Sequence, residues 1–191
     1  MTRCPWALSE LSSSYHDHEW GVPVHEDQKL FEFLILEGAQ AGLNWETILK
    51  KREAYREAFM KFEPAQLAKF DSVQVENLLR NPGIIRNRRK IESTIKNANV
   101  FLKLQNEFGS FDEYIWGFVG RKPIQNHFHD LSEIPAETEL SSQISKDLKK
   151  RGMSFVGPTI MYAFMQAIGM VNDHLVDCYR HNEIIQMEQG K

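Results

Sequence analysis

A chain of 191 residues is long enough for one well-packed domain, and 42% hydrophobic with 26% charged residues is globular composition without a disordered tract. The formal net charge of −3 does not announce a nucleic-acid binder, although a local basic patch on such a protein suffices for one. The N-terminus, MTRCPWALSE, has no apolar leader core, and no run approaches the ~18 apolar residues of a membrane span, so a soluble, cytoplasmic protein is expected.

Residues 1–26 lack periodicity but concentrate reactive and stacking side chains: Cys4, Trp6, Tyr15, His16, Asp17, His18, Glu19 and Trp20. They read as an irregular segment that wraps onto the domain, closed by Gly21 and Pro23. Asp27 is placed to cap a helix over 27–40, with Leu30, Phe33 and Leu34 on its apolar face. Glu37 follows these by seven, four and three residues and so shares that face. Either the face ends at Leu34 and Glu37 reaches solvent, or a carboxylate projects from a hydrophobic wall into a pocket. Gly42 ends the helix, and Asn44 caps the next, over 45–59, with Leu49, Tyr55 and Phe59 as core candidates.

Shorter helices are expected over 64–70 and 72–79, then a turn at Asn81-Pro82-Gly83, a long helix over 88–107 and another over 111–119. Residues 120–140 read as a long surface loop. Ser141 or Ser142 caps a helix that runs to Arg151, and RGMSFVGPT leads to a buried helix over 158–168 with Pro158 at its first position. Gly169 stops that helix. No alternating strand and no internal repeat is evident, so the fold class is all-α.

Three groups of residues carry chemistry. Cys4, His16, His174 and Cys178 make a two-cysteine, two-histidine set whose last pair, four apart, shares a helix face; it suits tetrahedral zinc in a closed, structural site. The same residues would also be consistent with a core histidine and unrelated thiols. Asp147–Gly169 resembles two helices around a glycine-bounded hairpin, with free backbone N–H groups at the second helix and Lys149, Lys150 and Arg151 beside it; an ordinary helical corner would look similar. Basic runs also occur at 50–52 and 86–90, where a solvated helix face is the plain alternative. Finally, Trp6, Tyr15, Trp20 and Trp45 gather around the Glu37 stretch, and aromatic faces stack on bases and attract cations.

These motifs, YHDHEWG at 15–21, LEGAQAGLNW at 36–45, GIIRNRRKI at 83–91, FVGPT at 155–159 and VNDH at 171–174, resemble the 3-methyladenine DNA glycosylase I family, a divergent branch of the helix-hairpin-helix DNA glycosylases. The resemblance spans nearly the whole chain. It implies a single glycosylase domain over 1–191, with two helical lobes around a base pocket and a helix-hairpin-helix element at about 147–169. It implies base-excision repair: monofunctional hydrolysis of the N-glycosidic bond of 3-methyladenine in alkylated double-stranded DNA, by a monomer that flips the base. Glu37 becomes the catalytic candidate and, with Trp6, Tyr15, Trp20 and Trp45, a base-binding residue. Lys149, Gly152, Ser154, Gly157 and Thr159 would hold the DNA backbone, and Cys4, His16, His174 and Cys178 structural Zn2+. Related enzymes carry a catalytic aspartate where this chain has Asn172. A tyrosine frequent in the family before YHD is replaced by Ser12-Ser13-Ser14, leaving one pocket wall open or filled differently. The competing readings are a non-catalytic, zinc-stapled DNA-binding module and a zinc hydrolase with an open coordination position.

Overall fold

The computed structural model describes residues 2–189; Met1 and residues 190–191, the ends of the expected 1–191 domain, lie outside it. Ten α-helices appear among the described residues: α1 (Glu10–His18), α2 (Asp27–Gln40), α3 (Trp45–Ala58), α4 (Pro64–Leu67), α5 (Ser72–Arg80), α6 (Arg88–Phe108), α7 (Phe111–Gly117), α8 (Glu139–Arg151), α9 (Pro158–Ala167) and α10 (Tyr179–Gln189). None is long and apolar enough to cross a membrane.

Helix α2 is the axis of the packing. The sequence predicts one apolar face, but every residue from Leu30 to Ala39 is buried, and α3, α6, α7 and α9 all pack against it. Its two buried carboxylates are treated differently. Glu32 meets Arg52 at 2.6 Å and Arg56 at 2.8 Å, whereas among the described residues no such pair forms at Glu37. Asp27 does not cap its own helix as expected. It is the first residue of α2, and its carboxylate accepts from the backbone N–H of Phe111 (2.9 Å) and Asp112 (2.8 Å), so it caps α7 instead. Asn44 does cap α3, accepting from Glu46 N–H at 2.7 Å.

Three further expectations change. Residues 1–26 are not wholly irregular: Ser9 and Ser12 form a reciprocal capping box that starts α1. The 120–140 segment is not all loop, because Ile124–Gln125 (β1) pairs in parallel with Val171–Asn172 (β2), a ladder too short to give alternation in sequence. Helix α8 begins earlier than expected, with Thr138 as its cap and Ser141 as the reciprocal partner three residues on. The helix over 158–168 forms as anticipated, with Pro158 in its first turn.

The N-terminal segment is seated on the end of α9. Gly21 N–H donates to Gln166 O at 3.1 Å and Val24 N–H to Ile168 O at 3.0 Å. Gly169, at φ +73°, is required here, since a Cβ would lie 2.5 Å from Pro23 N and Val22 C. Gly169→Ala is expected to destabilise the fold by roughly 2 kcal/mol or more, combining left-handed strain with a backbone clash. Thermal denaturation should show Tm falling by about 4–8 °C; an unchanged Tm would contradict this packing.

Candidate base pocket and metal cluster

Glu37 lies one turn from the C-terminus of α2, and the bend through Gly42 and Asn44 returns the chain so that Trp45 opens α3 beside it. Together with Trp6, Tyr15 and Trp20 these side chains line a cavity of about 320 Å³. The aromatic residues pack on one another. Trp6 and Trp20 meet edge to face at 5.0 Å between centroids, and Tyr15 and Trp45 lie 5.5 Å apart. All five residues expected at a base site therefore converge. Gln40, inside the 36–45 motif, and Ile134, Ala163 and Gln166, which the sequence pattern does not mark as pocket residues, complete the lining. Ile134 comes from the 120–140 segment, which reaches back over the cavity. The Ser12–Ser14 stretch is absent from the lining; Ser12 is spent on the α1 cap and Ser13 on Ala7 O.

Burial alone raises the Glu37 carboxyl to about 8, since among the described residues no cation or donor offsets its desolvation. Two donors on residues lining the same cavity are also buried without partners among the described residues: the Tyr15 hydroxyl and the Trp45 Nε1–H. Burial, then the Glu37 charge, hold the Tyr15 phenol well above its ordinary range. An unsatisfied acid and two unsatisfied donors lining one aromatic cavity are what a polar, flat ligand would complete.

Behind the Trp6–Trp20 wall lies the Cys/His cluster. Candidate ligand atoms of Cys4, His16, His174 and Cys178 all lie within 4.8 Å of one another, and all four residues are buried. Cys178 Sγ is 3.4 Å from His16 Nε2, and both Cys4 and Cys178 Sγ are 3.7 Å from His174 Nδ1. A tetrahedral zinc with ordinary bond lengths has S···N edges of about 3.6 Å, so the donor set fits. The remaining ring nitrogens are engaged: His16 Nδ1 with Asp17 at 2.8 Å, and His174 Nε2 with Trp20 O at 3.0 Å. Those contacts direct the unprotonated nitrogens toward the sulfurs. Asp17 is itself gripped by Arg3, which holds its carboxyl far below the usual range. The neighbouring Cys178 thiol and burial hold the Cys4 thiol above its ordinary range, while contacts from Cys4, His16 and His174 hold Cys178 below its own.

The hairpin between α8 and α9 is held from the side. Asn97 of α6 donates to Ser154 O at 2.8 Å and accepts from Ser154 N–H at 2.9 Å, a clamp that sequence reading missed. Gly152 adopts φ +105°, and Gly157 precedes α9 with no side-chain cap, leaving backbone N–H groups free beside Thr159. Thr159 Oγ1 touches Glu137 at 3.3 Å, and Lys149 is exposed in the last turn of α8. Arg151 does not join it as a free charge, because Asp147 (2.7 Å) and Glu107 (2.6 Å) hold it. The 50–52 run is likewise no basic patch: Arg52 is buried between Glu19 and Glu32, and Lys50 pairs with Glu46. In the 86–90 run, Lys90 donates to Ala39 O and Ala41 O and so caps α2, while Arg88 pairs with Glu76 and Glu92.

Residues 6–181 match the family model for methyladenine glycosylase. A DNA-3-methyladenine glycosylase of Haemophilus influenzae is 49% identical over 93% of this chain and 96% of its own. DNA-3-methyladenine glycosylase 1 of Escherichia coli is 49% identical over the same shares. Among solved structures, a crystal structure of a 3-methyladenine DNA glycosylase I superposes with TM-score 0.91 at 47% identity, over 93% of this chain and 98% of that one. The Staphylococcus aureus enzyme, solved to explain its 3-methyladenine recognition, gives TM-score 0.91 at 37% identity, over 94% and 96%.

The raised carboxyl sets a pH-dependent stability. The folded state keeps the Glu37 proton up to about pH 8, whereas the unfolded chain releases it near 4.5. Its contribution is therefore fully present below about pH 4.5 and is lost as pH rises through 8. Glu37→Gln should gain on the parent by a few kcal/mol, in order of magnitude, as pH goes from 5 to 9. Parallel denaturation curves at the two pH values would instead show that Glu37 is not buried unpaired.

Proposed function

We propose that this chain, which belongs to the methyladenine glycosylase family, hydrolyses the N-glycosidic bond of 3-methyladenine in alkylated DNA, releasing the base and leaving an abasic site. The observation that carries the reading is the partnerless Glu37 carboxyl in an aromatic cavity.

N3 methylation makes the nucleobase a cation and weakens its bond to the sugar. The base must leave the stack to be reached, which costs a few kcal/mol and less for a damaged base. Trp6, Trp20 and Trp45 would then present π-faces to the cation, each contact contributing about 0.5–2 kcal/mol. Glu37 would release its proton as the cation enters, becoming the counter-charge and an acceptor for the base's amino group. Tyr15 O–H would donate to a ring nitrogen. Neutral adenine gains none of the charge term, so this pocket selects the lesion by charge as well as shape. With a leaving group so activated, a positioned water suffices for hydrolysis. The α8–α9 hairpin around Gly152, Ser154, Gly157 and Thr159 would hold the phosphate backbone at the uncapped start of α9, with Lys149 adding charge.

The Cys/His cluster is read as a structural zinc site. Zinc, when bound, would draw both thiols to thiolates and, with four protein ligands, leave no open position for catalysis. Its place is to fasten Cys4 at the start of the chain to α1 and to the His174–Cys178 turn.

Methylated duplex DNA incubated with the protein should release free 3-methyladenine. Glu37→Gln, folded, should lower kcat/KM by about ten- to hundredfold, the worth of a charge-assisted hydrogen bond. It should also remove an acid limb in the pH profile of kcat/KM, which reports the free enzyme. No release from the parent protein would overturn the reading and favour a DNA-binding module. For the metal, elemental analysis of protein purified without chelator should find one zinc per chain, and Cys178→Ser should lose it; a metal-free, equally stable parent protein would remove zinc.

A further inference from the structure

A buried carboxylate beside the pocket has no part in the reading above. Asp173 is 1% exposed and accepts three hydrogen bonds: from Tyr162 O–H at 2.6 Å, Asn126 Nδ2 at 2.7 Å and Gln166 Nε2 at 2.8 Å. Both its oxygens are occupied and it does not line the cavity, so it is not a group that touches substrate. Gln166 does line the cavity, one turn along α9 from Ala163. Its amide cannot be turned over, because Oε1 would then face a carboxylate oxygen. With the nitrogen committed to Asp173, the amide oxygen is the end left for the pocket, and among the described residues no protein donor meets it. Donation to an anion also polarises the amide and makes that oxygen a stronger acceptor.

We propose that Gln166 is a specificity-determining residue whose Oε1 accepts a hydrogen bond from the exocyclic amino group of the extruded base, and that Asp173 is the positioning residue that sets its orientation. The inference rests on the base-excision reading. An adenine-type base carries two N–H bonds on that amino group, and Glu37 takes only one. A keto-purine places an oxygen there and would meet two acceptors.

The test compares the parent protein with Gln166→Leu and Asp173→Asn, each checked for a native melting transition. Free 3-methyladenine and 3-methylhypoxanthine serve as probes by calorimetry, alongside release of 3-methyladenine from methylated duplex DNA. Gln166→Leu should weaken 3-methyladenine binding and lower kcat/KM by about tenfold, the worth of one such bond. Its affinity for 3-methylhypoxanthine should stay level or rise. Asp173→Asn should shift the same preference, and the double variant should lose no more than Gln166→Leu alone. Gln166→Leu with unchanged affinity, rate and preference overturns the inference, even if Asp173→Asn fails to fold. If the parent protein itself releases no base, the base-excision reading fails first; parent release with an indifferent Gln166→Leu defeats this inference alone.

Discussion

A carboxyl group taken out of water without a partner costs several kcal/mol, and the centre of this fold contains one. Helix α2 shows the alternatives side by side. Glu32 is buried but bracketed by Arg52 and Arg56, while Glu37, five residues on, is buried with no counter-charge among the described residues and is raised to about 8. The two environments follow from direction: Glu32 faces α3, which carries both arginines, and Glu37 faces a cavity walled by tryptophan and tyrosine. Folding thus stores an unfavourable group that a cationic ligand would relieve. The affinity available to such a ligand includes the removal of that cost, which a neutral base cannot supply.

Holding a cavity open around an acid requires rigid walls, and these come from chain segments with little helix of their own. Trp6 and Trp20 flank α1 in the N-terminal segment, where periodic packing cannot fix them. Their support is the Cys/His cluster. Trp20 lends its carbonyl to His174 Nε2, while its ring stands edge-on to the His174 ring at 4.7 Å and to Trp6 at 5.0 Å. Gly21 follows at φ +78°, and a Cβ there would sit 3.0 Å from His174 Nε2. A cluster remote from any reacting atom can therefore set the position of the aromatic wall, because backbone and ring of one residue serve both.

Legibility from sequence followed the range of the interaction. Asn44, Pro158 and the Glu37–Trp45 corner were readable because capping and periodicity act within a few residues. Helix α1 is not legible in the sequence because Ser12-Ser13-Ser14 at its centre carry no hydrophobic period, even though Ser9 and Ser12 cap it reciprocally. Asp27 looked like the cap of its own helix and serves α7, more than eighty residues away, a pairing that only the tertiary fold creates. Arg151 and Arg52 counted as basic charge in the sequence, yet carboxylates from distant segments neutralise them. Gln166 and Ile134 were invisible for the same reason: a glutamine in an apolar helix and an isoleucine in a loop acquire meaning only when the cavity they line exists.

The VNDH segment shows how the same logic bears on chemistry. At the position where the resemblance leads one to look for a catalytic aspartate stands Asn172, fully buried, donating to Gln125 and His181 O and accepting from His174 N–H. It braces β2 and the His174 turn, with no group left to activate water. The neighbouring carboxylate, Asp173, is equally unavailable, with three donors on its two oxygens. A site that needed a strong base to expel a neutral purine could not spend its local carboxylates on structure. One that acts on a base already carrying positive charge can, because the leaving group supplies its own activation. Among the described residues the one carboxyl lining the cavity is Glu37, and it sits with the aromatic rings that would hold the base. The distribution of acids thus fits a pocket that selects a cation and leaves the activation to the leaving group itself, with no carboxylate set aside as a strong base.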